Sequence, residues 1–287
     1  MSEQVRIGAE AEAPLVGPKK QYDRIRQVTP DIASKRLVMV NVVFIGGPEA
    51  KDREWVLVDA GLPGTAGVIG RAAAQRFGGN SRPAAILLTH GHIDHVGALH
   101  KLAAKWEAPI FAHPLEHPFL NGTSAYPAAD PTVGGGLMSA LSPLFPDGPF
   151  DFRPWLRELP QDGQVPAMPG WRWLHTPGHS AGHVSFWRES DRSLIAGDAF
   201  ITTKQESAYS VAVQRPEIHG PPQYYTPDWV QAGESVRRLA PLEPELVVTG
   251  HGPAMRGPTM RSALHVLARN FESIAVPAHG RYVPKAA

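Results

Sequence analysis

Three histidines and an aspartate lie within six residues of one another, as His90, His92, Asp94 and His95. They follow directly on the apolar run 85–89, which has the composition of a buried strand. Imidazole and carboxylate groups are ligands of divalent metal ions. In the extended or turning backbone after a strand, alternate side chains project to the same side. The first two histidines can therefore bind one ion while the other two side chains bind a neighbouring ion, and we predict a metal site here.

Three further side chains with metal-binding chemistry stand in the same local context. His179, Asp198 and His251 each follow a strand-like segment and adjoin a glycine. Glycine lets the backbone turn sharply at the end of a strand, so a side chain placed there points into a cleft rather than along a sheet. The repetition of this context predicts that the three side chains converge on the same site as the first cluster.

Segments with strand and helix periodicity alternate along the chain, which predicts an α/β protein. Before residue 117 the predicted strands lie at 37–45, 55–61, 85–89 and 109–113, and the predicted helices at 66–77 and 96–106. After residue 152 the predicted strands lie at 171–175, 183–187, 193–196 and 245–249, and the predicted helices at 228–239 and 259–274.

The chain is predicted to form one domain with an arm at its start. Residues 1–36 are mixed and polar, and we predict an N-terminal arm that packs on the domain or on a partner subunit. Residues 37–287 contain no linker or repeat and are predicted to form a single domain. Within it, residues 117–152 form a Pro/Gly-rich insertion that also carries apolar side chains. This insertion is either a surface loop or a cap over a pocket, since long ordered loops often act as lids.

The composition excludes several classes of function. Lys and Arg number 28 and Asp and Glu 27 in 287 residues, so the net charge of +1 provides no strongly basic face for a nucleic acid. The absence of cysteine excludes disulfides, thiolate metal ligands and thiolate catalysis. No apolar stretch approaches the roughly 20 residues of a membrane span. The N-terminus does not resemble a signal peptide. We therefore expect no membrane partner and a cytoplasmic location.

The complete set of motifs resembles that of the metallo-β-lactamase-fold hydrolase superfamily. Its five motifs stand here as Asp59, the His-x-His-x-Asp-His string at 90–95, His179, Asp198 and His251, in that order. With the flanking strands, the resemblance extends over roughly residues 37–275. It implies an α/β (α+β) fold, a four-layer αβ/βα sandwich of two mixed β-sheets flanked by helices.

The same resemblance implies the ligands of two divalent metal ions. One ion would be held by His90, His92 and His179, the second by Asp94, His95 and His251, and both by the bridging Asp198. Asp59 would accept a hydrogen bond from a ligand imidazole and so set its tautomer. His183, four residues after His179, is predicted to support that loop by hydrogen bonding. Zinc is the predicted ion, and manganese, iron and cobalt are compatible with these ligands.

Two metal ions about 3.5 to 4 Å apart can lower the pKa of a shared water and polarise a carbonyl oxygen. The predicted reaction is therefore hydrolysis, in which a metal-bound hydroxide attacks the carbonyl of a small, fairly apolar ester or lactone. Asp94 is the predicted catalytic residue, which holds the hydroxide and passes its proton to the leaving group, as in similar enzymes. The quorum-quenching lactonases have a tyrosine three residues after the bridging aspartate, whereas this chain has Ile201.

An apolar pocket beneath the 117–152 insertion is predicted to receive the small-molecule substrate. Phe200 and Ile201 would form one wall of this pocket, and His279 lies near the C-terminus. A tyrosine hydroxyl from elsewhere in the chain could replace the one that the lactonases have at position 201, and the candidates are Tyr209, Tyr224 and Tyr225. The candidate residues from the insertion are Leu137, Met138, Leu141, Phe145, Phe150 and Phe152.

Other activities stay open at this point. The same metal site is compatible with a β-lactam or thioester hydrolase. A mononuclear iron persulfide dioxygenase would use a single metal ion, and the complete second set of ligands argues against it. A metal-stabilised binding protein without turnover is a further alternative, although such proteins normally lack some of the ligands. The chain could also form a homodimer.

Overall fold

The computed structural model describes residues 5–6, 25–206, 209 and 216–284. These residues divide into two compact units. The N-terminal unit contains residues 25–125 and 148–172, and the C-terminal unit contains 126–147, 173–206, 209, 216–284 and strand β1 (Val5–Arg6). Much of the predicted arm, 1–4 and 7–24, lies outside the described residues. The prediction of a single domain for residues 37–287 stays a prediction.

The N-terminal unit is built on a seven-stranded mixed sheet. Its strands are β2 (Arg26–Gln27), β3 (Ile32–Leu37), β4 (Val40–Ile45), β5 (Val56–Val58), β6 (Ala85–Leu87), β7 (Ile110–Ala112) and β8 (Leu156–Glu158). They lie in sequential order, antiparallel from β2 to β5 and parallel from β5 to β8. The parallel strands end at one edge of the sheet, which is where the first predicted ligands follow.

The start of this sheet differs from the predicted single strand 37–45. The strands β3 and β4 form a hairpin in which Leu37 pairs with Val40. Strand β3 begins at Ile32, inside the residues 1–36 that were predicted to form an arm. Val38 takes a φ of 62° in the turn, a conformation that β-branched residues rarely adopt. Because Val38 continues the apolar run, the turn has no sequence signal of the usual Gly or Asn kind.

Helices pack against this sheet and cover its apolar face. They are α1 (Ala66–Phe77), α2 (Ile93–Val96), α3 (Leu99–Trp106) and α4 (His117–Leu120). Helix α1 has the predicted bounds, because its apolar residues recur at helical spacing and Gly78 ends it at a φ of 95°. Its last residue, Phe77, stacks on Trp55 with ring centroids 4.4 Å apart. Burial of such a side chain contributes about 1.5–3 kcal/mol.

The C-terminal unit is built on a five-stranded mixed sheet and a short two-stranded one. Its strands after β8 are β9 (Trp171–His175), β10 (Val184–Arg188), β11 (Ser193–Gly197), β12 (Glu217–Ile218), β13 (Leu246–Thr249) and β14 (Met255–Arg256). The larger sheet has the order β14-β13-β11-β10-β9, and β1 pairs with β12. The strands β11 and β13 run parallel, so their carboxyl ends lie at the same edge.

Three helices of the C-terminal unit bury a second hydrophobic core, α6 (Trp229–Leu239), α7 (Gly257–Arg269) and α8 (Phe271–Ile274). The same unit also contains the short helix α5 (Leu137–Leu141). Asp228 caps the N-terminus of α6, and its carboxylate accepts from the Gln231 backbone N–H at 2.9 Å. The predicted helix 259–274 is divided at Asn270.

Two mixed sheets with helices packed against them confirm the predicted fold class. The insertion 117–152 holds α4, α5 and a 3-10 helix at Ser142–Leu144. Its role as a cap stays a prediction. None of the helices in the described ranges has the length and hydropathy that crossing a bilayer requires.

Candidate metal centre

The first four predicted ligands lie at the carboxyl edge of the parallel strands in the N-terminal unit. The chain leaves β6, turns through His90 and His92, and enters α2 at residue 93. His90, His92 and His95 are almost fully buried. The ring of His90 lies 4.7 Å from that of His92 and 4.2 Å from that of His95, measured between centroids. Three imidazoles therefore converge within one turn of chain.

Asp59 ties this cluster to the neighbouring strand. It follows β5 directly and has a left-handed φ of 60°. Its Oδ1 accepts from the Thr89 backbone N–H at 2.9 Å, and its Oδ2 accepts from the Thr89 hydroxyl at 2.8 Å. The same Oδ2 lies 2.8 Å from Nδ1 of His95. A carboxylate only accepts, so Nδ1 of His95 carries the proton and Nε2 is left to bind a metal. The contact expected of Asp59 is thus present.

Thr89 is a supporting residue that the sequence analysis missed. Its hydroxyl donates to Asp59, so its oxygen can accept from Nδ1 of His90 at 3.1 Å. This contact directs Nε2 of His90 away from Thr89. The available signal was its position between the strand and the first histidine, which by itself indicates only a strand end. Asp94 completes this set, with its Oδ2 3.9 Å from Nε2 of His95.

Three further predicted ligands lie together in the C-terminal unit. Asp198 follows β11 and His251 follows β13, two parallel strands in which Gly197 pairs with Thr249. Oδ2 of Asp198 lies 3.1 Å from Nε2 of His251. The same oxygen lies 3.5 Å from Nε2 of His179. One buried carboxylate oxygen therefore faces two imidazole nitrogens.

The orientation of His179 is set by Thr226. The Thr226 hydroxyl donates to the carbonyl of Pro222 at 2.8 Å, so its oxygen can accept from Nδ1 of His179, 3.2 Å away. Nε2 of His179 is thereby turned to Asp198. Thr226 lies 47 residues from His179 in the chain, and no local pattern in the sequence indicates this contact.

His183 supports Asp198 through the backbone. Its Nε2 accepts from the Asp198 backbone N–H at 2.9 Å, so its Nδ1 carries the proton and donates to the Thr176 hydroxyl at 2.9 Å. The Thr176 hydroxyl then donates to Ser185, which donates to the carbonyl of Ala196, at 3.0 Å in each case. His183 therefore holds the backbone of Asp198 directly, and the other hydrogen bonds of this chain fix the tautomer of His183.

Gly178 is a position where only glycine fits. A Cβ added there would lie 2.3 Å from the backbone nitrogen of Ala232, and its φ is 129°. We expect Gly178→Ala to move His179 and to lower the melting temperature by several degrees, because overpacking costs about 1–3 kcal/mol. Metal content should fall with it. Thermal unfolding and elemental analysis measure the two effects.

Gly170→Ala is the matched control for Gly178→Ala. Gly170 has a φ of 82°, but no atom lies within 4 Å of the added Cβ. In this variant the free energy of unfolding should fall only by the cost of a left-handed backbone at alanine, about 1–2 kcal/mol, and the protein should keep its metal. Equal losses of metal in the two variants would contradict the role assigned to the close approach at Gly178.

The predicted pocket residues lie in different surroundings. Phe200 is fully buried in the hydrophobic core of the C-terminal unit. Leu137 and Tyr209 are 60% and 70% exposed. Leu141 is also exposed, Phe145 and Phe150 are half-buried, and Met138, Phe152, Ile201, Tyr224 and Tyr225 are buried. His279 lines a cavity of about 210 Å³ in the C-terminal unit, together with His219. That these residues form one substrate pocket stays a prediction.

Comparisons with known proteins show which family this chain resembles. A model of the Metallo-beta-lactamase superfamily matches residues 36–251. The "Probable metallo-hydrolase YflN" of Bacillus subtilis (strain 168) is 46% identical over 236 residues, which cover 82% of this chain and 89% of that protein.

Two solved structures illustrate the likeness of fold. TTHA1623 in a di-iron-bound form is 27% identical with a TM-score of 0.51, over 82% of this chain and 96% of that one. A beta-lactamase domain protein from Burkholderia ambifaria is 20% identical with a TM-score of 0.62, over 93% of this chain and 82% of that one. The second likeness concerns the fold alone.

Proposed function

Because the chain belongs to the metallo-beta-lactamase superfamily, we propose that it is a metal-dependent hydrolase that cleaves a small, uncharged ester or lactone. The observation that carries the proposal is the position of Asp198, whose Oδ2 faces both His179 and His251. Family membership supports the metal-dependent hydrolysis. The ester or lactone substrate is the narrower part of the proposal.

The donor atoms around Asp198 fit a divalent metal ion. Nitrogen and oxygen ligands bind zinc at about 2.0–2.1 Å, so two ligands of one tetrahedral ion lie about 3.3 Å apart. The separations of Oδ2 of Asp198 from His251 and His179, 3.1 and 3.5 Å, are close to this value. Two imidazoles and a carboxylate are also the ligand types that zinc, iron, manganese and cobalt accept.

We propose that two ions bind, with the ligands in the order of the motifs. His90, His92 and His179 would hold one ion, Asp94, His95 and His251 the other, and Asp198 both. The rings of His90, His92 and His95 converge within the N-terminal unit, which supports metal binding there. The di-iron form of TTHA1623 supports the number of two, and it keeps iron beside zinc among the candidate ions.

The bound ions would lower the pKa of water and polarise the substrate carbonyl. Asp94 supplies the proton transfer, because its carboxyl group is the most exposed of the site aspartates. Its side chain is 17% exposed, compared with 5% for Asp59 and 2% for Asp198. Oδ2 of Asp94 lies on the side of His95. We therefore propose that Oδ1 accepts the proton that the attacking water loses. The same oxygen then donates this proton to the leaving alkoxide.

Charge and surface composition support an uncharged, fairly apolar substrate. Two divalent ions and two aspartates leave a site charge of about +2, which stabilises negative charge that develops on a carbonyl oxygen. Residue 201 is isoleucine and is fully buried, so it offers no hydroxyl to a polar substrate. The insertion exposes Leu137 and Leu144, which are 60% and 76% accessible and can contact an apolar molecule.

A hydrolysis panel on the metal-loaded protein tests the proposal. The panel comprises γ- and δ-lactones, aryl esters, thioesters, β-lactams and phosphodiesters, and the metal-to-protein ratio is measured on the same preparation. We expect two ions per chain and the highest kcat/KM on a lactone or aryl ester. Removal of the metal with a chelator should abolish turnover, and returning the metal should restore it.

Each of the other possible results of this panel would favour a different function. Turnover of phosphodiesters alone would contradict the substrate class. A preference for β-lactams or thioesters would change the proposed substrate class from esters and lactones to those compounds, and it would leave the proposed metal chemistry unchanged. One iron per chain with persulfide oxidation would replace hydrolysis altogether. Two ions with no turnover of any substrate would favour a binding protein.

A further inference from the structure

The ligand imidazoles share a pattern at their Nδ1 atoms. In three of the five predicted histidine ligands, Nδ1 lies against a side-chain oxygen that can accept its proton. These pairs are His90 with Thr89 at 3.1 Å, His95 with Asp59 at 2.8 Å and His179 with Thr226 at 3.2 Å. Each pair leaves Nε2 as the ligand atom. Metal-binding histidines almost always donate their other ring N–H in this way, because the contact fixes both tautomer and ring orientation.

Glu116 is a buried carboxylate beside this cluster that the predicted ligand set does not include. It ends the 3-10 helix Pro114–Glu116, which follows β7, and its side chain is fully buried. Its Oε2 accepts from the Gly91 backbone N–H at 3.0 Å. Burial of a carboxylate is costly unless both oxygens accept hydrogen bonds, so Oε1 also requires a donor.

The neighbours of Gly91 indicate which donor suits Oε1. Gly91 stands between His90 and His92, so Glu116 is held against the backbone that carries both rings. Nδ1 of His90 is already directed to the Thr89 hydroxyl. The ring of His92 stands at 88° to that of His90 and is buried, with 5% exposure. Its Nδ1–H is therefore the imidazole donor that can meet the second oxygen of Glu116.

We propose that Glu116 is a positioning residue for the metal centre, in which Oε1 accepts from Nδ1–H of His92 while Oε2 holds the Gly91 N–H. One carboxylate then fixes the backbone of the ligand loop and the tautomer of a ligand, with Nε2 of His92 left for the metal. It would act on His92 as Asp59 acts on His95. The inference rests on the proposed function only in that a metal binds here, because hydrolysis does not enter it.

Histidine side-chain NMR of the full-length protein loaded with Zn²⁺ tests the tautomer directly. Proton–nitrogen correlations should show Nδ1 of His92 protonated and Nε2 coordinated, with the His92 signals assigned from a His92→Gln variant. In Glu116→Ala the Nδ1 proton should shift or be lost to exchange with water. The corresponding signal of His95, which depends on Asp59, should persist.

Zinc affinity, measured by competition with a chelator, provides the second measurement. Removal of such a supporting partner typically weakens metal binding by about 10- to 100-fold, and we expect this for Glu116→Ala. Glu116→Gln keeps one carbonyl oxygen as an acceptor and should restore part of the affinity. Glu158→Ala removes an exposed glutamate of the same unit and should change neither the affinity nor the spectrum.

The tautomer of the unmodified protein decides the proposal even if Glu116→Ala fails to fold. A His92 ring without a proton on Nδ1 would overturn it, as would an unchanged His92 signal in a folded Glu116→Ala protein. Zinc binding with the expected tautomer but no ester or lactone hydrolysis would contradict the proposed function and leave this inference in place.

Discussion

Exchange of Asp198 for asparagine is expected to lower kcat/KM by at least about a thousandfold, since several kcal/mol of metal-derived stabilisation are lost and each 1.36 kcal/mol is a factor of ten. Oδ2 of Asp198 faces His179 and His251 at 3.5 and 3.1 Å. The carboxyl group is only 2% exposed, so it is shielded from bulk water. The amide would remove a negative charge that stabilises the two proposed cations, so we expect the variant to bind fewer ions.

Metal titration and steady-state kinetics measure this effect on one preparation. We expect the Asp198→Asn variant to bind fewer than two ions per chain and to regain little turnover at high metal concentration. Asp191→Asn is the matched control, because Asp191 is a surface carboxylate of the same unit paired with Arg188 at 2.7 Å. Full activity with two bound ions in Asp198→Asn would contradict the role of Asp198 as a shared ligand.

Exchange of Asp94 for asparagine is expected to reduce turnover far more than it reduces metal binding. Proton transfer by a positioned side chain contributes about 10²- to 10⁴-fold to the rate, and an amide cannot accept the proton of the attacking water. Asp94 stands in the first turn of α2, with Oδ2 3.9 Å from Nε2 of His95. The asparagine oxygen can still approach a metal there, so the protein should keep most of its metal.

Turnover and metal content, measured on one preparation, distinguish the two roles of Asp94. If Asp94 transfers the proton, kcat should fall in Asp94→Asn while the metal content stays near that of the parent. Asp151→Asn is the matched control, because Asp151 is an exposed carboxylate of the same unit paired with Arg153. Unchanged turnover in Asp94→Asn would refute the catalytic role, and loss of all metal would show that Asp94 is mainly a ligand.

Local periodicity was sufficient to predict most elements of the fold. The helix at Ala66–Phe77 has the predicted bounds, and so does the strand at Trp171–His175. Both have a repeating apolar pattern and a neighbouring glycine or turn, which are local signals. The hairpin of β3 and β4 was missed because its turn at Val38 lies inside an apolar run. Its geometry is imposed by pairing within the sheet, which overrides the preference of valine.

The sequence by itself determined which residue types can bind metal and in what order they occur along the chain. Five of the seven candidate ligands adjoin a glycine, and the other two, Asp94 and His95, stand in the His-x-His-x-Asp-His string, so all seven could be named without coordinates. The tertiary structure decided which ring nitrogen is available in His90, His95 and His179. Asp59 reaches His95 across 36 residues, Thr226 reaches His179 across 47, and Glu116 reaches Gly91 across 25. Such partners meet only when the chain folds and brings distant segments together, and no local pattern in a single sequence encodes that proximity.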